Sequence, residues 1–445
     1  MLSPKLASHD ENIMTPRQIV EQLDRYVVGQ QEAKKKVAIA LRHRAIRKFV
    51  EGPIQQEITP KNILMIGPTG VGKTEIVRRL AHLIEAPFIK VEATKFTEVG
   101  YVGRDVESII RDLIDKFFKE LKEKSTKRVS VIAQQAALDI IIDKILNQSD
   151  QIETLSSNRD VLAEQILNGQ FDKEEIEIEV AQPIVDLEIM APPGMEEMTS
   201  QIHSVFQSIG GDRKRKKTVR IADAFKIIKD EEVARLVDED DIKALAIKCV
   251  EDQGIVFIDE IDKVCQRQQG FGSDVSREGV QRDLLPLIEG CAVSTRYGTI
   301  QTNHILFITS GAFQLSKPSD LIPELQGRLP VRVELTSLTV NDFISILSVT
   351  DASLIAQYQA LLKIEKIQLT FTSEGIRRIA EIACEVNERT ENIGARRLHT
   401  VMERLLEDVF YDATENQSEV VVTEEFVNRQ LNALLKSEDL YQFVL

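Results

Sequence analysis

The chain has 445 residues, 43% apolar and 29% charged, with a formal net charge of −15. This is a globular composition with material for about two to four domains of roughly 150 residues each. No apolar run approaches the ~18–20 residues that span a bilayer, Met1–Asp10 has no apolar leader core, and the acidic balance opposes binding to nucleic acid. Four scattered cysteines without a C-x-x-C pair, and six scattered histidines, exclude a disulfide framework and a zinc cage. The expectation is a cytoplasmic protein with no membrane, transition-metal or nucleic-acid partner.

Thr15-Pro16-Arg17-Gln18 predicts a helix start, with Thr15 as cap, Pro16 in the first turn and Gln18 closing a capping box. A second helix is expected from Gln31 to about Val50, ended by Gly52-Pro53. Asn62–Ile66 is a short apolar run that suits a buried parallel strand, followed by a glycine loop and a helix over Thr74–Leu83. Further strands are expected at Pro87–Val91, Gly254–Ile258, His304–Ile308 and Val331–Leu335. Apolar strands separated by helices imply a doubly wound α/β sheet.

The stretch between Val91 and Gly254 is too long for one crossover, so 118–247 reads as an inserted, mostly helical domain. It has helical edges at Ile109–Leu121 and Glu231–Cys249, and loops over Asn147–Arg159 and Pro192–Gly194. Its one dense basic run, Arg213–Lys217, reads as an exposed loop. Segments 1–117 and 248–338 then form the α/β domain that carries the glycine loop, and 339–445 a small α-rich domain. In the latter, helices at Gly375–Asn387 and Gly394–Tyr411 accompany strands at Ile367–Phe371 and Glu419–Val422.

Gly67-Pro68-Thr69-Gly70-Val71-Gly72-Lys73-Thr74 fits the phosphate-loop pattern G-x-x-x-x-G-K-[ST] without a mismatch, between a strand and a helix. Such glycines let backbone amides approach phosphates, and the helix N-terminus favours the same anion. Cofactor contacts are expected from Gly70, Val71, Gly72, Lys73, Thr74 and Glu75. Lys73 reaches the β- and γ-phosphates and Thr74 offers a hydroxyl to Mg²⁺. Ile255–Ile258 buries a strand from which Asp259 and Glu260 emerge. Asp259 is expected to hold Mg²⁺ through water and Glu260 to polarise the attacking water. The cofactors are therefore ATP and Mg²⁺.

With these motifs the chain resembles the AAA+ family of ring ATPases, and more narrowly the unfoldase subunits of HslUV (ClpYQ) proteases. The resemblance is carried by Val28-Gly29-Gln30, Thr59–Thr74, Glu92–Gly103, Ile189–Ser200, Ser276–Pro286, Lys317–Arg328 and Asn392–His399. It implies that Val28 contacts the adenine, that Ser310 is a polar sensor with Thr309 as its rival, and that Arg396 is a second sensor. It also implies that Arg328, with Glu324, reaches the nucleotide of a neighbouring subunit in a homo-hexameric ring. Gly100-Tyr101-Val102-Gly103 brackets an aromatic and an aliphatic residue with glycines, as a pore loop that grips polypeptide would. The C-terminus ends in Leu440, Phe443, Val444 and Leu445, apolar residues that suggest docking into a groove. The resemblance puts that groove on an HslV-type threonine peptidase, with unfolded or tagged proteins as substrates. No intrinsic peptidase constellation is visible. A nucleic-acid motor and a chaperone without a peptidase are the competing readings.

Overall fold

A computed structural model describes residues 14–47, 49–97, 104–148, 159–181, 214–265, 277–351, 353–390, 392–412 and 419–436. The chain forms two compact units, Met1–Phe117 with Leu245–Leu445, and Phe118–Ala244. In chain order the strands are β1 (Ile63–Ile66), β2 (Phe88–Glu92), β3 (Glu175–Ala181), β4 (Lys214–Arg220), β5 (Ile255–Asp259), β6 (Ala292–Thr295), β7 (Gly298–Gln301), β8 (Leu306–Gly311), β9 (Val331–Glu334), β10 (Gln368–Phe371) and β11 (Glu419–Val422).

In the first unit five strands form one parallel sheet in the order β2-β5-β8-β1-β9. Its inner strands are continuous apolar runs because helices cover both faces. Ile63, Leu64 and Met65 of β1, and Ile255 to Ile258 of β5, are almost completely buried. Each such side chain contributes about 1.5–3 kcal/mol of burial. The expected α/β architecture is present.

The helix Pro16–Asp24 opens on the predicted capping box: the Gln18 amide donates to Thr15 Oγ1 at 3.3 Å, and the Thr15 amide to Gln18 Oε1 at 2.8 Å. The helix Gln31–Arg47 stops short of Val50. At the C-terminal end, helices Val340–Ser348, Leu354–Ile364, Ser373–Arg389, Arg396–Tyr411 and Glu424–Lys436 enclose their own apolar core, with β10 and β11 paired in parallel. An antiparallel hairpin, β6 with β7, was not legible in advance.

The second unit corrects three expectations. The helix beginning at Ser108 continues to Gln148 instead of ending near Leu121. The helix expected over Glu231–Cys249 is two, Ile221–Leu236 and Glu239–Gln253. Asp238 accepts from the amides of Asp240 and Asp241, capping the second helix and breaking the first from it. The basic run is not a loop: residues 214–217 belong to β4, antiparallel to β3 with Glu177 opposite Thr218 and Glu179 opposite Lys216. Of its lysines, Lys216 gains a cross-strand charge pair with the acidic strand, Nζ to Glu177 Oε1 at 3.3 Å. Among the described residues no helix is long and apolar enough to cross a membrane.

Candidate active site

All five sheet strands run parallel, so their C-terminal ends share one edge. There β1 passes into the loop Gly67–Gly72 and the helix Lys73–Leu83. Gly70 has φ +74° and Gly72 φ +100°, conformations that side chains rarely adopt. Contact explains the glycine at position 70 as well: a Cβ there would lie 1.8 Å from the Ile393 carbonyl oxygen. The loop is tied to that turn by the Ala395 amide, which donates to the Gly70 carbonyl at 3.0 Å. Lys73 donates to the carbonyls of Gly67 (2.5 Å) and Pro68 (2.9 Å). Burial pushes its pKa down against the opposing pull of Asp259 and Asp262.

At the end of β5, Asp259 is the hub of the edge. Its Oδ2 accepts from Lys90 Nζ at 2.8 Å and from Thr74 Oγ1 at 3.4 Å. Its Oδ1 accepts from the Ser310 hydroxyl and, at 3.1 Å, from the Glu260 amide. Burial would raise its pKa, but the hydrogen bonds from Lys90 and Ser310 outweigh this and hold the carboxyl below the usual aspartate range. Glu260 itself stands at φ +57°, ψ +36°, a left-handed conformation unusual for a glutamate. Strain of this kind persists where the surroundings enforce it, and here it turns the residue out of the strand line into the cleft.

The two rival polar residues of β8 separate clearly. Ser310 binds the Asp259 carboxylate, whereas Thr309 donates to the Ile63 carbonyl at 3.4 Å. Parallel registry explains the difference: alternate residues of β8 face opposite sides of the sheet.

These groups border a cavity of about 570 Å³ that includes Val28, Gly70 to Glu75, Asp259, Glu260 and Arg396. Arg79 stacks on Tyr26 with its guanidinium carbon 4.0 Å from the ring centroid, and Glu75 binds Arg78 and Arg79 at 2.7 and 2.6 Å. The turn bearing Val28 is fixed because Gln30 exchanges two bonds with the Thr336 backbone, at 2.8 and 3.2 Å. Arg328 and Glu324 are exposed and do not border this cavity; Arg328 Nε donates to Glu289 at 2.9 Å. Gly100, Tyr101, Val102, Gly103, Leu440, Phe443, Val444 and Leu445 lie outside the described residues.

The site suits a nucleotide with a divalent cation. The Thr74 and Asp259 oxygens already share one cation, the Lys90 ammonium, at 3.4 and 2.8 Å. Lys90 and Asp262 were not anticipated from sequence. A lysine in an edge strand looks like solvated charge, and an Asp two residues past Asp259-Glu260 carries no motif. Buried Asp262 anchors the loop after β8, accepting from the Phe313 amide at 3.3 Å.

Two family models match the chain. That of the ATPase family associated with various cellular activities (AAA) matches residues 63–176, and that of the AAA domain (Cdc48 subfamily) matches residues 182–332. The first takes in the glycine loop, and the second Asp259, Glu260, Ser310 and Arg328.

Proposed function

Because the chain is an ATPase of the AAA family, we propose that it is one protomer of a homo-hexameric ring of the HslU (ClpY) kind. This ring unfolds proteins and passes them to an HslV-type threonine peptidase. The observation that carries the ring reading is the position of Arg328. It precedes β9, which pairs with β1 in parallel, Ile63 opposite Val331. Arg328 is therefore at the N-terminal edge of the sheet and the glycine loop at the C-terminal edge. Four strand residues, roughly 13 Å at about 3.3 Å each, lie between them. An exposed arginine so placed can serve a nucleotide only if that nucleotide belongs to a neighbour.

Within one protomer, Lys73 and the loop amides hold the phosphates, and Thr74 with Asp259 holds Mg²⁺, which neutralises phosphate charge when bound. Glu260 takes the proton of the attacking water. Ser310 keeps Asp259 oriented and ties β8 to the state of the site. Val28 meets the base. Arg396 joins the C-terminal helices to the phosphates, a coupling supported by the Ala395–Gly70 hydrogen bond beside it. Movement of those helices on hydrolysis then drives Tyr101 and Val102 against polypeptide in the pore. The C-terminal residues Leu440, Phe443, Val444 and Leu445 dock on the peptidase.

The test is a coupled one. With a purified HslV-type peptidase and an unfolded substrate, the full chain should degrade substrate only with ATP. A chain lacking residues 438–445 should keep ATP hydrolysis and lose degradation. Equal degradation by both chains would remove the peptidase from the reading and leave a chaperone.

A further inference from the structure

The opposite edge of the same sheet holds a second cavity, of about 190 Å³, between the helix Gln31–Arg47 and the segments that lead into β1 and β8. Arg44, Arg47, His43, Lys61 and His304 border it. Arg44 is 9% exposed, and its Nε and Nη2 are buried with no hydrogen-bond partner. His304 Nδ1 is a third buried atom without a partner.

The protonation of His304 follows from its neighbour. Arg47 Nη2 lies 2.6 Å from His304 Nε2, and a guanidinium can only donate. Nε2 is therefore the acceptor, and Nδ1 carries the proton of a neutral ring. Burial and the nearby Arg47 and Arg44 push the imidazole pKa down, in keeping with that neutral form. All three atoms are thus donors that meet no acceptor among the described residues. Asp252 is the acidic group whose charge is felt by both Arg44 and His304. It makes no ion pair with Arg44, whose pKa is pushed down to about 9 by burial. Buried donors without acceptors are uncommon in folded proteins and call for an acceptor from outside the chain.

We propose that this cavity is a binding site for a phosphate-class oxyanion, held by Arg44 and His304 Nδ1–H, with Arg47 and Lys61 contributing charge. A tetrahedral dianion presents acceptors in several directions and matches donors that converge from two elements. A monocarboxylate presents one planar pair of oxygens and would leave part of the set unfilled. The site is separate from the glycine loop, since the sheet's strands lie between them.

The glycine loop also binds phosphate groups, so the test begins with that site filled by Mg·ADP. Thermal unfolding of the full chain is then followed as inorganic phosphate is added, against sodium chloride and sodium acetate at matched ionic strength. The expected result is a midpoint that climbs with phosphate beyond both controls, with the phosphate-specific rise lost in Arg44→Met. Arg44→Met should itself match or exceed the wild-type midpoint in the absence of phosphate. Direct detection on the unaltered chain covers the case in which that variant does not fold: a crystal grown with Mg·ADP and soaked in selenate should show anomalous scattering beside the Arg44 guanidinium. A response equal to that in acetate, a phosphate response that survives in Arg44→Met, or no selenate at Arg44 would each overturn the assignment.

Discussion

The two edges of the central sheet solve the same electrostatic problem in different ways. At the C-terminal edge a half-buried carboxylate, Asp259, is surrounded by donors from its own chain: Lys90, Ser310, Thr74 and the Glu260 amide. At the N-terminal edge buried donors on Arg44 and His304 have no acceptor among the described residues. The first edge is built to exchange one cation for another around a fixed anion. At the second edge the charge of Asp252 is felt by Arg44 and His304 without an ion pair to Arg44. An unmet hydrogen bond in a cavity therefore marks a ligand more plainly than a saturated cluster does, although the saturated cluster carries the chemistry.

The largest expected effect tests whether the edges work together across a protomer boundary. Arg328→Ala should lower steady-state ATP hydrolysis by about 10³–10⁵-fold while leaving ADP affinity, measured by calorimetry, unchanged. A parallel loss of affinity would mean that Arg328 only supports its own fold through Glu289. Glu260→Gln should slow hydrolysis by about 10²–10⁴-fold with ATP still bound, since the strained backbone at this position is unchanged by the amide. Hydrolysis near the wild-type rate would assign the base elsewhere.

A smaller effect concerns the tie between the glycine loop and the C-terminal helices. Gly70→Ala introduces a Cβ 1.8 Å from the Ile393 carbonyl at φ +74°. It should destabilise the chain by about 1–3 kcal/mol and weaken nucleotide binding. Denaturant melts with and without ADP would separate the two losses.

The smallest effect is a pH shift. The folded pKa of Asp259 is depressed, so its contribution to stability is present above the ordinary aspartate pKa and is lost as pH falls through the lower folded value. Lys90→Met removes the strongest of the hydrogen bonds that depress it. Loss of stability should then begin at higher pH than in the wild type. Coincident acid-unfolding curves would show that Ser310 and the Glu260 amide suffice.

Legibility in the sequence followed the strength of local rules. The phosphate loop and the strand ending in Asp259 and Glu260 were readable because glycine spacing and apolar runs act over a few residues. Which of Ser310 and Thr309 meets Asp259 needed the sheet, since adjacent residues on a strand differ only by the face they present. Lys90, Asp262 and Arg44 were not readable as site residues. Lys90 meets Asp259 of β5, Asp262 meets Phe313 after β8, and Arg44 shares its cavity with His304, each far away in sequence. The basic run at 214–217 was misread because its acidic partner strand, β3, lies more than thirty residues earlier. The break at Val237-Asp238 was missed because helical periodicity on either side masked a local cap.

The central claim is that this ATPase acts on polypeptide. Its most direct test is the steady-state ATP hydrolysis rate in magnesium buffer, measured alone, with an unfolded protein, and with duplex DNA, using Glu260→Gln as the blank. Stimulation by unfolded protein and not by DNA, abolished by Tyr101→Ala, is the expected result. Stimulation by DNA with no response to protein would contradict it.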